Sequence, residues 1–308
     1  MTFLFIVIGL IAALAIVYVV LERQRKPVSK AERKAAPGQF ASLSQGQTYY
    51  QWHGSVRGPV LVAIHGLGTP SIAYQLMAVG LGSMGYRVLT YDLYGRGLSD
   101  APAGEQNAAF FMQQLSDLLE DQGVTEDVTL VGYSMGGAIA TAFAATNTHL
   151  TKRLILLAPS GIEIRESGFS RFCRKTPIIG DLVHHLFGGV QMAKNLRAGD
   201  SDSEVPGIRD AQLAQIKRRG FLRAVLSSGR GMLDVAQKAE HQAIGRADIP
   251  TVAIWAERDD VIPISALGTL AQWNRNARQE TIPEAGHGMP YTHATAVLEK
   301  LRDITIER

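Results

Sequence analysis

Residues 127–140 read Asp-Val-Thr-Leu-Val-Gly-Tyr-Ser-Met-Gly-Gly-Ala-Ile-Ala. The run from Asp127 to Tyr133 is short and apolar at its centre, as in a strand covered on both faces. Gly136–Ala145 is rich in alanine and reads as a helix. Between them, Gly132-Tyr133-Ser134-Met135-Gly136 fits G-x-S-x-G. So short a pattern often arises by chance, and Ser134 alone would pass for a turn serine. The setting changes that. A strand that enters a sharp turn and leaves as a helix lifts a serine hydroxyl above the sheet edge. Glycines must flank it, because side chains there would collide with the neighbouring strand and helix. A serine hydroxyl is a poor nucleophile near neutral pH and needs a base to take its proton.

Working outward, strands and helices alternate. Strands are expected at Gln47–His53, Pro59–His65, Tyr86–Leu93, Arg153–Ala158, Ile249–Ala256 and Gln279–Ile282. Helices are expected at Ile72–Met84, Ala108–Asp121, Ser265–Asn274 and Thr292–Ile306. The alternation implies an α/β fold with a mostly parallel sheet covered by helices on both faces. Residues 161–247 break the rhythm: they hold no convincing buried strand, but helical stretches such as Ile178–Phe187 and Ala211–Leu226. They read as a helical cap over the C-terminal sheet edge, where such sheets place their sites. The expected domains are therefore a transmembrane anchor (1–22), a basic linker (23–38), a core (39–160 and 248–308) and the cap (161–247).

The N-terminus stands apart. Phe3 to Leu21 is nineteen residues without a charge; as a helix it would reach about 28 Å, close to a bilayer's hydrocarbon core. A cleaved signal peptide fits less well, since no Lys or Arg precedes the run and no A-x-A-like site follows. Six basic residues (Arg23, Arg25, Lys26, Lys30, Arg33, Lys34) then face only Glu22 and Glu32. An uncleaved single-pass anchor is expected, with the catalytic domain on the cytoplasmic side by the charge rule. The pI near 9.0 belongs largely to this segment and does not argue for a nucleic-acid partner. The cap carries fourteen basic against nine acidic residues, which a solvated surface explains. Cys173 is the only cysteine, so no disulfide within the chain can form.

The base for Ser134 should be a histidine late in the chain. A packed or surface histidine is the default for any one of the eight. His287 lies in Glu284-Ala285-Gly286-His287-Gly288 after an expected strand, and Gly286 permits a tight loop. His293 falls in the last helix, and His184 and His185 in the cap. The orienting acid should follow a strand between serine and histidine. Glu257, Asp259 and Asp260 compete there, and spacing alone does not separate Asp259 from Asp260.

Four motifs in order make the chain similar to the α/β-hydrolase superfamily over residues 40–308. His65-Gly66-Leu67-Gly68 resembles its oxyanion loop, and Asp92-Leu93-Tyr94-Gly95-Arg96-Gly97-Leu98-Ser99 its D-x-x-G-x-G-x-S turn. The elbow at Ser134 is the third motif. Asp259-Asp260-Val261-Ile262-Pro263 resembles the acid loop D-x-(V/I)-(V/I)-P, which favours Asp259. Gly286-His287 matches the histidine loop. The resemblance implies a catalytic triad of Ser134, Asp259 and His287, with the backbone N–H groups of Leu67 and Met135 as oxyanion hole. His65 and Asp92 would then be structural.

The activity so implied is ester hydrolysis through an acyl-enzyme, without cofactor or metal; no metal-ligand or P-loop motif occurs. Phe169, Phe172, Ile178, Ile179, Leu182, Leu186 and Phe187 are expected to line an apolar acyl channel, or, on the plain alternative, to pack the cap onto the core. A membrane anchor beside such a channel would suit a lipophilic, monoacylglycerol-like ester, within a substrate class of small-molecule or lipid esters. Epoxide hydrolases and haloalkane dehalogenases carry an aspartate at the elbow, unlike Ser134. Carbon–carbon bond hydrolases are similar in cap and elbow but commonly carry Asn before the serine, where this chain has Tyr133, and stand as the runner-up. Perhydrolases of the haloperoxidase type share the elbow, and a thioesterase or peptidase fits it too. A binding protein of the same fold is the non-enzymatic alternative, set against three filled triad positions.

Overall fold

The computed structural model describes residues 2–198 and 203–306, without the side chains of residues 3, 4, 6–8, 10, 11 and 304–306. Its sheet is built from β1 (Gln39–Leu43), β2 (Gly46–Gly54), β3 (Val60–Ile64), β4 (Arg87–Tyr91), β5 (Val128–Tyr133), β6 (Thr151–Leu157), β7 (Thr251–Ala256) and β8 (Arg278–Ile282). The spatial order is β1-β2-β4-β3-β5-β6-β7-β8. β1 and β2 run antiparallel at one edge; the pairings from β4 through β8 are parallel. Every residue of β5 and β7 is buried, as strands covered on both faces must be. β1 has no counterpart in the sequence reading. Five residues joined to β2 by a tight turn carry too little periodicity to stand out.

The helices are α1 (Thr2–Gln24) and α2 (Lys30–Ala35) before the sheet, then α3 (Gln75–Ser83), α4 (Ala108–Asp121) and α5 (Met135–Thr146) between strands. α4 shows why its residues fold so. The Asn107 side chain accepts a hydrogen bond from the Phe110 N–H at 3.1 Å and caps the first turn. Phe111, Leu115, Leu118 and Leu119 then fall on one face and are buried, each burial stabilising by about 1.5–3 kcal/mol.

Between β6 and β7 lie α6 (Gly168–Lys175), α7 (Ile179–Val183), α8 (Gly189–Ala198), α9 (Ile208–Ile216), α10 (Phe221–Arg230) and α11 (Lys238–Arg246). After β7 come α12 (Ala266–Trp273), α13 (Met289–Thr292) and α14 (Ala294–Ile306). Two helices expected as continuous are interrupted. The 211–226 stretch breaks after Ile216, where α9 ends, and Gly220, with φ +87°, turns the chain into α10. The 178–187 stretch is α7 followed by one π-helical turn over His184–Gly188.

The expected anchor is helical, as α1. Among the described residues no helix is long and apolar enough to cross a membrane, so the structure lends that expectation no support. Seven side chains of the apolar run fall outside the description. The segment read as a linker is structured. Ser29 and Glu32 form a reciprocal capping box at α2, the Glu32 N–H donating to Ser29 Oγ and the Ser29 N–H to Glu32 Oε2. The segment also docks on the α9–α10 corner. Arg25 Nη1 donates to Ile216 O at 2.6 Å, the Arg219 N–H to Lys26 O at 3.0 Å, and Arg218 Nη2 to Glu32 Oε1 at 2.7 Å. The Arg218 hydrogen bond is the main cause holding the Glu32 carboxyl down to about 2.

Gly220 is the pivot of that corner. A Cβ there would stand 2.3 Å from the Ala101 Cβ, on a backbone that disfavours side chains. Gly220→Ala is therefore expected to lower stability by about 2 kcal/mol, read from urea unfolding midpoints.

Candidate active site

β5 delivers the chain into Ser134 with φ +52° and ψ −119°, and α5 begins one residue later. A positive φ at a residue with a side chain is strained and persists only where surroundings over-determine it. They do here. The Ser134 N–H donates to Leu157 O at 3.0 Å, while Ser134 O accepts from the Gly137 N–H at 2.9 Å and the Ser160 N–H at 3.0 Å. The flanking glycines are required by contact. A Cβ on Gly136 would meet Ile64 O at 2.0 Å, and one on Gly132 would meet Gly136 O at 2.3 Å. The side chain that remains is Ser134, at the C-terminal end of a central strand and 8% exposed.

His287 reaches it from the loop after β8. Its Nε2 is 3.0 Å from Ser134 Oγ, and its Nδ1 is 2.8 Å from Asp259 Oδ2. With an ionised carboxylate as acceptor, Nδ1 carries the proton, which leaves Nε2 free to accept from the serine hydroxyl. The Asp259 side chain is 1% exposed, and its other oxygen accepts from the Val261 and Ile262 N–H groups, both at 2.8 Å. The loop folds back so that its amides satisfy the buried carboxylate, with the Ile262 side chain buried behind it. The Arg258 N–H donates to Ala285 O at 2.9 Å and ties the acid loop to the histidine loop. Tyr133 packs against the imidazole, ring centroids 5.3 Å apart.

The loop after β3 forms the opposite wall. A Cβ on Gly66 would lie 3.3 Å from that of Ser134, so the loop runs directly beside the serine. His65 is wholly buried, and that burial pulls its imidazole down to about 3, leaving it neutral. Its Nδ1–H donates to Gly66 O at 2.8 Å, and its Nε2 accepts from the Leu93 N–H at 2.9 Å. The 4.0 Å approach of Nε2 to Asp92 is therefore no ion pair. Asp92 accepts from the Ser71 and Leu98 N–H groups, each at 2.8 Å, and burial raises its pKa. Both residues brace loops. Met135 opens α5, so its N–H is one of the helix's unpaired first-turn donors.

Other sequence candidates stay apart. Asp260 and Glu257 are exposed, and Glu257 accepts from Thr281 Oγ1. His293 pairs with Thr292 Oγ1, His184 with Leu222 O, and the His185 ring packs tilted against Tyr18, centroids 4.7 Å apart. The expected channel lining needs correction. Phe172, Ile178, Ile179, Leu186 and Phe187 are each 42–57% exposed and so do not wall an enclosed channel. Packing beside the site comes instead from a cluster of Ile216, Phe221, Leu222 and Val225, against which Leu67 and Met192 lie. The apolar spacing of Phe221, Leu222 and Val225 was the available signal for it. Arg96 was visible only as a letter inside a glycine-rich turn. It is 1% exposed and donates from Nε to Leu67 O at 3.1 Å.

Gly136→Ala is expected to leave little folded protein, by circular dichroism and yield, because the clash is with backbone. The histidines set an acid limit. Burial pulls His184 and His241 down to about 4 and His65 to about 3. Unfolded imidazoles bind protons from about pH 6.5, so these groups contribute stability fully present above that value and lost as pH falls towards 4. Urea unfolding midpoints should drop between pH 7 and pH 4.5, where most carboxylates are still ionised. An unchanged midpoint would contradict neutral burial.

A family model described as alpha/beta hydrolase fold matches residues 59–294. Epoxide hydrolase 3 of Xenopus tropicalis is 26% identical over 313 residues, covering 89% of this chain and 82% of that protein. Monoacylglycerol lipase ABHD6 of Homo sapiens is 26% identical over 172 residues, covering 52% of this chain and 49% of the lipase. The crystal structure of an enol-lactonase from Burkholderia xenovorans LB400 superposes with a TM-score of 0.69 at 20% identity, over 87% of this chain and all of that one (100%). At that identity the likeness concerns the fold alone. A match that opens just before β3 and runs past the His287 loop makes this chain a member of the alpha/beta-hydrolase-fold family.

Proposed function

We propose that the protein is a serine hydrolase of carboxylic esters, acting through an acyl-enzyme on Ser134. The observation that carries this reading is the unbroken row Asp259–His287–Ser134, with contacts of 2.8 and 3.0 Å. In the proposed reaction His287 Nε2 takes the hydroxyl proton as Ser134 Oγ attacks the acyl carbon. Asp259 holds the imidazole's tautomer and stabilises the imidazolium. The carbonyl oxygen, now negative, turns to the Leu67 and Met135 N–H groups; losing one such donor typically costs about 10²–10³ in rate. His287 passes its proton to the leaving alcohol. A water deprotonated by the same imidazole then attacks the acyl carbon, and Ser134 Oγ regains its proton.

Relatives named as an epoxide hydrolase and as a monoacylglycerol lipase point to different substrates. The serine at the elbow favours acyl transfer. For the acyl group we favour a lipophilic, acylglycerol-like chain, supported by the apolar cluster around Leu67 and Met192. The 1–22 anchor, with the remaining chain on the cytoplasmic side, belongs to the same proposal. Its support is the uncharged run from Phe3 to Leu21 and the basic residues that follow.

A fluorophosphonate probe should label the wild-type chain and not Ser134→Ala; an unlabelled wild type would count against an enzyme. Asp259→Asn should lower kcat by about 10⁴, as in other triads, while Asp260→Asn leaves it within a few-fold. Long-chain monoacylglycerols in detergent should be turned over faster than short soluble esters. Equal or slower turnover would remove the lipid assignment and leave the esterase.

A further inference from the structure

Three consecutive carbonyls of the loop after β3 are each held by a side chain from a different part of the molecule. Gly66 O accepts from His65 Nδ1 at 2.8 Å, Leu67 O from Arg96 Nε at 3.1 Å, and Gly68 O from Gln215 Nε2 at 2.6 Å. His65 belongs to the loop itself. Arg96 comes from the turn after β4, and Gln215 from α9, in the helices inserted between β6 and β7.

Peptide geometry gives these contacts a consequence. The Leu67 N–H shares a plane with Gly66 O and points the opposite way, so a hydrogen bond to that oxygen sets the direction of the N–H. The plane keeps its place only if the next two cannot rock about their own torsions. Arg96 and Gln215 hold those two.

Neither residue is a surface contact. Gln215 is 2% exposed, and its Oε1 accepts from the Gly97 N–H at 3.2 Å. A carbonyl only accepts and an amide N–H only donates, so the side-chain amide has one workable orientation. Arg96 makes further bonds to neutral oxygens: Tyr94 O at 2.8 Å, Ser228 Oγ at 2.8 Å, Ala224 O at 3.3 Å, and Gln106 Oε1. Ala224 and Ser228 lie on α10. Both clasps therefore join the loop to the inserted helices, and the corner beside Gln215 is itself held by Arg25 on Ile216 O.

We propose that Gln215 and Arg96 are positioning residues for the oxyanion loop, so that the Leu67 N–H is aimed at the reacting oxygen only while the inserted helices are seated on the sheet edge. The inference deepens the esterase reading and rests on it. A misaimed donor weakens binding of the tetrahedral intermediate more than binding of the ester, so the loss falls on kcat.

The test uses full-length protein, a short p-nitrophenyl ester, an alkylboronic acid that forms a tetrahedral adduct on Ser134, and thermal midpoints. Gln215→Met keeps the side chain's bulk and removes its hydrogen bonds. It should lower kcat about tenfold and weaken boronate binding in parallel, with KM within about two-fold of wild type. Arg96→Lys, which cannot span both Leu67 O and α10, should lose more. Gln215→Leu, which likewise cannot donate to Gly68 O, supplies the same reading if the methionine variant fails to fold. Unchanged kcat and boronate affinity in a folded Gln215 variant would overturn the inference, as would a loss confined to KM or to the thermal midpoint. A wild type without Ser134-dependent turnover would remove the esterase reading, and this inference with it.

Discussion

Gly136 lies so close to Ile64 that a methyl group on it would come within 2.0 Å of a backbone oxygen. That approach of the first turn of α5 to the end of β3 is the constraint on which the site depends. It forces the chain to leave β5 through a residue with positive φ, and the residue in that place is Ser134. It also brings the loop after β3 alongside the serine, because that loop starts from the strand that Gly136 touches. The nucleophile and the loop proposed to hold its oxyanion are thus two results of one contact. Side-chain chemistry enters afterwards, when His287 and Asp259 arrive from the loops after β8 and β7.

Burial then decides which groups serve as braces. His65 and Asp92 look like catalytic residues by type, yet each spends its polar atoms on backbone of neighbouring turns. In a water-free interior an unsatisfied amide is costly, so these side chains stand in for solvent and fix the turns that surround Ser134. Arg96 does the same with a full charge. Burial draws it down to about 9, where it is still a cation at neutral pH. Its acceptors are neutral oxygens spread over the loop, its own turn and α10. Holding such a charge in the interior is costly unless every donor is used, which is why the arrangement has so little freedom to shift.

Much of this was legible in the sequence, and for identifiable reasons. β5, the elbow and α5 were readable because burial on both faces, a forced turn and small-residue packing each restrict residue type. Asp259 rather than Asp260 rested on resemblance. In the fold it is decided by the two amides that turn back onto one carboxylate while its neighbour faces solvent. The inserted helices were harder. The 211–226 stretch breaks after Ile216 and the 178–187 stretch at a π-helical turn, and several apolar residues assigned to a channel are exposed instead. Gln215 carried no signal at all: a glutamine in an amphipathic helix reads as surface, and only the tertiary contact with Gly68 makes it otherwise. Residues 23–38 read as a linker because they are polar and contain Pro27 and Pro37; the docking comes from long-range bonds to Ile216 and Arg218.

The reading of the site stands on a covalent acyl intermediate at Ser134. Rapid mixing with an activated ester, acid quenching and peptide mass analysis address it directly. A burst of about one equivalent of alcohol per active site is expected, with the acyl mass on the peptide that contains Ser134. A burst-free time course with no acylated peptide, or an acyl group on another residue, would contradict it.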